Sequence, residues 1–199
     1  MNLLNPILKN KMDSILELQI YMENIEDAYE RYDNAILDVF DHQLTIEEAD
    51  SALGFIEHNL KYEHRYIKFI EDLYEANSYH PIIIEIHLNE LESLDILRIL
   101  DGLDYKDKLV FIDIIRNNEN KSNMFTVENK EFLHLLIKLS TREILFSIFH
   151  FIEIPITVVG GWDLSFPVFF NNKNVYEECL SIAKKNELYF RNINVISHS

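Results

Sequence analysis

Cysteine is nearly absent from this chain. Cys179 is the only one, so no intrachain disulfide can form, and the composition fits a reducing compartment. At a core-facing position of an expected helix, it reads as a small buried apolar residue and not as a reactive thiol. Glycine is as scarce. There are four, and only Gly160 and Gly161 are adjacent, too few for a phosphate-cradling loop. Nucleotide cofactors are therefore not expected. Basic residues are outnumbered, 18 Lys and Arg against 34 Asp and Glu, for a net charge of −16. That sign opposes the counterion release on which nucleic-acid binding rests, and it opposes attraction to anionic lipid. Long apolar runs are missing too. The longest, 144–159, carries His150, Glu153 and Pro155, so no membrane span is expected. Met1–Leu8 lacks the basic start of a signal peptide, and the expected location is the cytoplasm.

Recognised catalytic and metal motifs are also lacking. There is no His-Glu-x-x-His and no Gly-x-Ser-x-Gly. A di-iron bundle needs two Glu-x-x-His motifs, and only Glu131 with His134 matches. His58 and His64, six apart, do not share a helix face. Metal ligands, cofactors and catalytic residues are all expected to be none, and His134 reads as a boundary histidine satisfied by a neighbour.

What is present is acid, aromatic residues and an asymmetric layout. Ten Tyr, thirteen Phe and one Trp can fill a large core. Residues 1–80 hold 17 acids against 6 bases, and residues 81–120 hold 9 against 4, while residues 121–199 balance at 8 and 8. The peak lies from Asp13 to Glu57, where 13 acids meet only Arg31. Such a surface steers a basic partner.

Ile15, Leu18, Met22, Ile25, Tyr29, Tyr32, Ile36 and Val39 step by three and four. This predicts one helix over 12–40 with an acidic outer side. Thr45 and Glu48 form a capping box that starts a second helix, expected to run to about Asn77 with a close helix crossing at Gly54. The short connection makes the two an antiparallel hairpin. The stretch 82–100 is read as helix in preference to strand, and 109–116 is left open between the two. Residues 117–123 read as a polar loop and 128–139 as a helix. Downstream, 144–151 and 154–159 read as strands. Gly160-Gly161 offers the positive φ of a tight hairpin turn. Leu164, Phe166, Val168 and Phe170 then share one sheet face, and 175–185 and 188–195 complete the chain as helix and strand.

The expected fold is α+β: an N-terminal antiparallel helical hairpin with further helices, then a small C-terminal sheet with one packed helix. One domain spans 1–199, with a division into a mainly helical acidic lobe, 1–120, and an α/β lobe, 121–199, as the alternative. The candidate partner-binding residues are Glu23, Glu26, Asp27, Glu30, Asp33, Asp38 and Tyr29. Acid interleaved with tyrosine suits a basic protein groove. Trp162 joins them, either as an exposed anchor at the hairpin tip or as a ring folded back over the sheet.

The acidic stretch Asp13–Glu57, the absence of a secretion signal and the compact end module Ile144–Val195 together resemble the small immunity proteins that bacteria encode beside secreted polymorphic toxins. The resemblance implies a cytoplasmic inhibitor that covers the active site or substrate groove of one toxin domain, often a nuclease with a basic cleft. It transfers no residue role. The alternatives are a nucleic-acid mimic that inhibits a defence nuclease, a small hydrolase with a pocket near His150, Asp163 and Arg191, and a scaffold pairing through its first helix.

Overall fold

The computed structural model describes residues 5–51, 55–118 and 122–196. Its elements in chain order begin with β1 (Asn5–Pro6), α1 (Lys9–Asp13), α2 (Ile25–Arg31), β2 (Asp33–Asp38), α3 (Ile46–Ser51) and α4 (Phe55–Ala76). Next come β3 (Ile82–Glu85), α5 (Ser93–Asp101), α6 (Tyr105–Asn117), β4 (Met124–Val127) and α7 (Lys130–Thr141). The chain closes with β5 (Ile148–Phe151), β6 (Ile156–Val159), β7 (Phe166–Phe170), α8 (Lys173–Lys185) and β8 (Tyr189–Asn194). The class is α+β. The strands form one eight-stranded sheet of order β1-β4-β3-β5-β6-β7-β2-β8, antiparallel at every pairing.

One face of the sheet carries the main core. Ala35, Leu37, Ile82, Ile84, Phe149, Val158, Phe166, Val168 and Phe170 alternate along their strands, as period-two geometry requires. They meet Tyr66, Phe69 and Leu73 of α4, Leu135 and Leu139 of α7, and Cys179 and Ala183 of α8. Residues between these point the other way. Ile83, Ile148, Val159 and Phe169 are covered by the N-terminal segment through Ile7, Met12, Leu16, Leu18, Ile20 and Ala28.

Two helical expectations are overturned. Residues 12–40 are not one helix: α1 and α2 are short, and 33–38 is a strand paired with β7 on one edge and β8 on the other. A helix there would set many like charges three and four apart, whereas the strand is hydrogen-bonded along both edges. Leu16, Leu18 and Ile20 are buried while Glu17 and Gln19 are exposed, an alternation of extended chain. The antiparallel helical hairpin is therefore replaced by a strand inside the sheet followed by α3 and α4. Likewise 82–85 is a fully buried strand, not helix, in keeping with a β-branched run after Pro81. β2 lies between β7 and β8, so the alternative division at 120/121 would cut across a single sheet.

Nor is the sheet small and C-terminal with one packed helix: it takes strands from both halves of the chain, and α4, α7 and α8 all pack on its main face. Several local expectations do hold. The Thr45 N–H donates to Glu48 Oε2 at 2.8 Å, and the Glu48 N–H returns to Thr45 Oγ1 at 3.3 Å, closing the capping box ahead of α3. Ala52, Leu53 and Gly54, and with them the expected helix crossing, lie outside the described residues. The 109–116 run is helical within α6, and α5, α7 and α8 fall where expected. β6 and β7 do form a hairpin, but neither glycine takes positive φ; Asp163 (54°) and Leu164 (55°) do. The glycines serve close approach instead. A Cβ on Gly160 would sit 2.8 Å from Ser140 Oγ, and one on Gly161 would sit 2.3 Å from the Ser165 carbonyl oxygen. Leu164, fully buried, is held in its left-handed conformation by the Tyr66 hydroxyl, which donates to its carbonyl oxygen.

Candidate functional site

The sequence-derived candidates separate into two places. Tyr21 ends the extended cover, and α2 follows along the sheet. Tyr29 is half-buried, its ring edge-on to Phe169 at 5.1 Å, and Ala28 is buried beside it. This apolar mounting turns Glu26, Asp27 and Glu30 to solvent, and none of the three has an ion-pair partner among the described residues. Glu23 is exposed as well and pairs with Lys9.

Asp33 and Asp38 do not belong to that surface, contrary to expectation. Asp33 is 5% exposed, and its Oδ1 accepts the Ile196 N–H at 2.7 Å, tying down the chain after β8. Asp38 is 4% exposed. Its Oδ2 accepts from Arg191 Nε at 2.8 Å and from Ser165 Oγ at 2.8 Å, and its Oδ1 accepts the Phe40 N–H at 3.0 Å. Burial of both follows from β2 having neighbours on two edges. The strand also separates them: five residue steps carry the chain on the order of 17 Å from the α2 end to the Asp38 end.

At the Asp38 end lies a cleft of about 400 Å³. β2 and the turn after it supply Asp38, Phe40, His42 and Gln43. The start of α4 supplies His58 and Asn59, the β6–β7 tip supplies Asp163 and Ser165, and β8 supplies Arg191. One wall is aromatic: Phe40 and His58 stack at 5.7 Å, and Tyr62 meets His58 edge-on at 5.0 Å. Burial lowers the His58 pKa, so its ring stays neutral in ordinary conditions. At the rim, His42 contacts Asp41 and Glu48, and these hydrogen bonds raise its pKa.

Two groups in the cleft lack compensation. The Asp163 carboxylate has no ion-pair partner among the described residues, since Arg191 is taken by Asp38. The Asn59 side chain is 2% exposed, and neither Nδ2 nor Oδ1 makes a hydrogen bond of ordinary geometry among the described residues. Its amide lies near enough to Glu143 to oppose, in part, the burial that raises that carboxyl's pKa. Ser165 is fully engaged: its hydroxyl donates to Asp38 and accepts from Arg191 Nη2 at 2.8 Å.

Trp162 does not fold back over the sheet. It is 64% exposed at the β6–β7 tip, next in sequence to the cleft residue Asp163, and edge-on to Phe146 at 4.8 Å. His150 is elsewhere, fully buried under the N-terminal cover, with Nδ1 at 3.1 Å from Thr157 Oγ1. His134 Nε2 pairs with Glu71 at 2.7 Å, and Glu131 pairs with Lys106. Among the described residues, no cluster of His, Cys, Asp and Glu has the arrangement of a metal site, and no helix is long and apolar enough to cross a membrane. Sequence reasoning missed His58, Asn59 and Ser165 as cleft residues. Only their convergence from α4 and the β6–β7 tip marks them.

No protein-family model, no curated protein and no solved structure matches this chain.

Proposed function

We propose that this chain is an acidic binding protein that captures a basic protein partner. Its most specific form is a cytoplasmic immunity protein that neutralises a toxin domain. The observation that carries this reading is α2: a helix fixed to the sheet by Ala28 and Tyr29 that presents Glu26, Asp27 and Glu30 uncompensated. Exposed acids held on a rigid mount lower the ordering cost of association and raise the on-rate for a basic partner. Trp162 adds an exposed aromatic anchor at a separate edge.

The test is capture of the product of the neighbouring gene, co-expressed with the tagged chain and washed at low and high salt. Retention of a stoichiometric basic protein supports the reading. Lysine at positions 26, 27 and 30 should then slow association at least tenfold and flatten its salt dependence. Unchanged association would remove α2 from the interface.

The cleft favours a second reading, a small hydrolase, because Asp163 and Arg191 do converge there with Ser165 and His58. Acyl transfer would require an imidazole on Ser165 Oγ, whose partners are instead Asp38 and Arg191. A screen of small ester and amide substrates in which Ser165→Ala abolishes turnover would favour this reading over capture.

A further inference from the structure

The cleft at the end of β2 has a mixed polar and apolar lining, and the α2 surface does not use it. Asp38 and Arg191 pair with each other there, which leaves the exposed Asp163 carboxylate without an ion-pair partner among the described residues. Asn59 adds a buried side-chain amide whose Nδ2 faces Glu143 and whose Oδ1 has no donor among the described residues, and a buried acceptor left unmade is costly unless something supplies a hydrogen. The Phe40–His58 wall supplies a flat aromatic surface. An anion would meet Asp163 unfavourably. A neutral apolar group would leave the buried Asn59 amide unsatisfied.

We infer that this cleft receives the guanidinium or ammonium group of a basic side chain presented by a protein partner, with Asp163 and Asn59 Oδ1 as acceptors and the Phe40–His58 wall as the surface for its stem and charge. The inference rests on the reading of the chain as a binder of basic protein, and it assigns that partner a specific anchor. About 400 Å³ accommodates an arginine side chain with room for bridging water. A planar guanidinium suits this lining better than an ammonium, because it accepts aromatic stacking and donates in a fork. Trp162, next in sequence to Asp163, is exposed and offers a reporter of a bound chain.

The probe is Nα-acetyl-arginine amide, titrated into the ¹⁵N-labelled protein while the Asn59 side-chain amide and the Trp162 indole are followed by NMR. Saturable shifts at both groups are expected, with binding at least tenfold weaker for the neutral isostere Nα-acetyl-citrulline amide. Asp163→Asn should reduce arginine binding to the citrulline level. Asn tolerates φ of 54°, so the tip should keep its fold, as far-UV circular dichroism would verify. Equal binding of the arginine and citrulline probes, or no shift at Asn59 and Trp162, would overturn the inference. Agmatine binding more than tenfold tighter than capped arginine would overturn the protein source in favour of a free small cation. The two proposals fail separately. A captured partner whose affinity ignores Asp163→Asn defeats the anchor alone. A cleft that binds arginine in a chain that captures no basic protein defeats the binding-protein reading.

Discussion

Replacing Arg191 by Met should destabilise the protein by about 3 kcal/mol. Arg191 reaches Asp38 through Nε at 2.8 Å and Nη2 at 2.6 Å, with the two side chains 16% and 5% exposed. Charge-assisted hydrogen bonds contribute about 1.5–3 kcal/mol each, and the partial exposure of the guanidinium places the pair at the lower end. Without Arg191, the Asp38 carboxylate stays buried with the Ser165 hydroxyl and the Phe40 N–H as partners. Asp38→Asn, which leaves the cation unpaired, should cost a similar amount. The double variant should cost less than the sum, by about 2 kcal/mol, because each single change already breaks the same pair. Urea unfolding measures all three: the midpoint should fall with the slope unchanged. Raising salt to 1 M should leave the coupling largely intact, since the pair is withdrawn from solvent. A loss below 1 kcal/mol for Arg191→Met, or a coupling near zero, would refute the assignment of Asp38 to the structure instead of the partner surface.

Asn77→Ala should cost about 2–4 kcal/mol by urea unfolding, because Oδ1 of this fully buried residue accepts the Ile152 and Glu153 N–H groups at 3.1 and 2.8 Å and so organises the β5–β6 turn. Gly161→Ala should cost about 2 kcal/mol or more, since the added methyl meets backbone and not a movable side chain. His150 is held neutral by burial, with its pKa pushed down to about 3 from 6.5. The unfolded chain therefore binds the proton first. The stability present above about pH 6.5 should fall by about 1.4 kcal/mol per pH unit as pH drops towards 3. The difference between the wild type and His150→Gln, measured from pH 7 to pH 4, should show that slope, and a flat difference would contradict it. His87 has the opposite sign. Burial lowers its pKa, but hydrogen bonds donated by its ring to Glu85 and Glu90 together outweigh that and raise it, so its contribution is complete below about pH 6.5 and is lost as pH rises through the folded-state value. His87→Gln should narrow its gap to wild type at pH 8.5 relative to pH 5.5.

The two halves of the chain were legible to different degrees. From Lys130 onward, periodicity found α7, β5, β6, β7, α8 and β8, because strands joined by short turns and amphipathic helices on one face carry their own pattern. In the first forty residues the same method failed. Ile15, Leu18, Met22 and Ile25 fit a helical stripe, while Leu16, Leu18 and Ile20 fit an extended one, and both patterns share Leu18. The choice between them lies in β7 and β8, about 130 residues or more away, whose edges take up 33–38 as a strand. Tertiary pairing of that kind overrides local preference.

By itself, the sequence determined the charge, its confinement to the first part of the chain, the aromatic supply for a core and the α+β class, because these are sums and short-range periodicities. The tertiary structure alone decided which acids are surface and which are struts. Glu26, Asp27 and Glu30 stand on a helix outside the sheet, whereas Asp33 and Asp38 lie on a strand with partners on both edges. It alone also assembled the cleft, whose groups come from four separate parts of the chain. The physical reason is common to both: burial and compensation of a charge depend on what packs across from it, and neighbours in sequence do not reveal that.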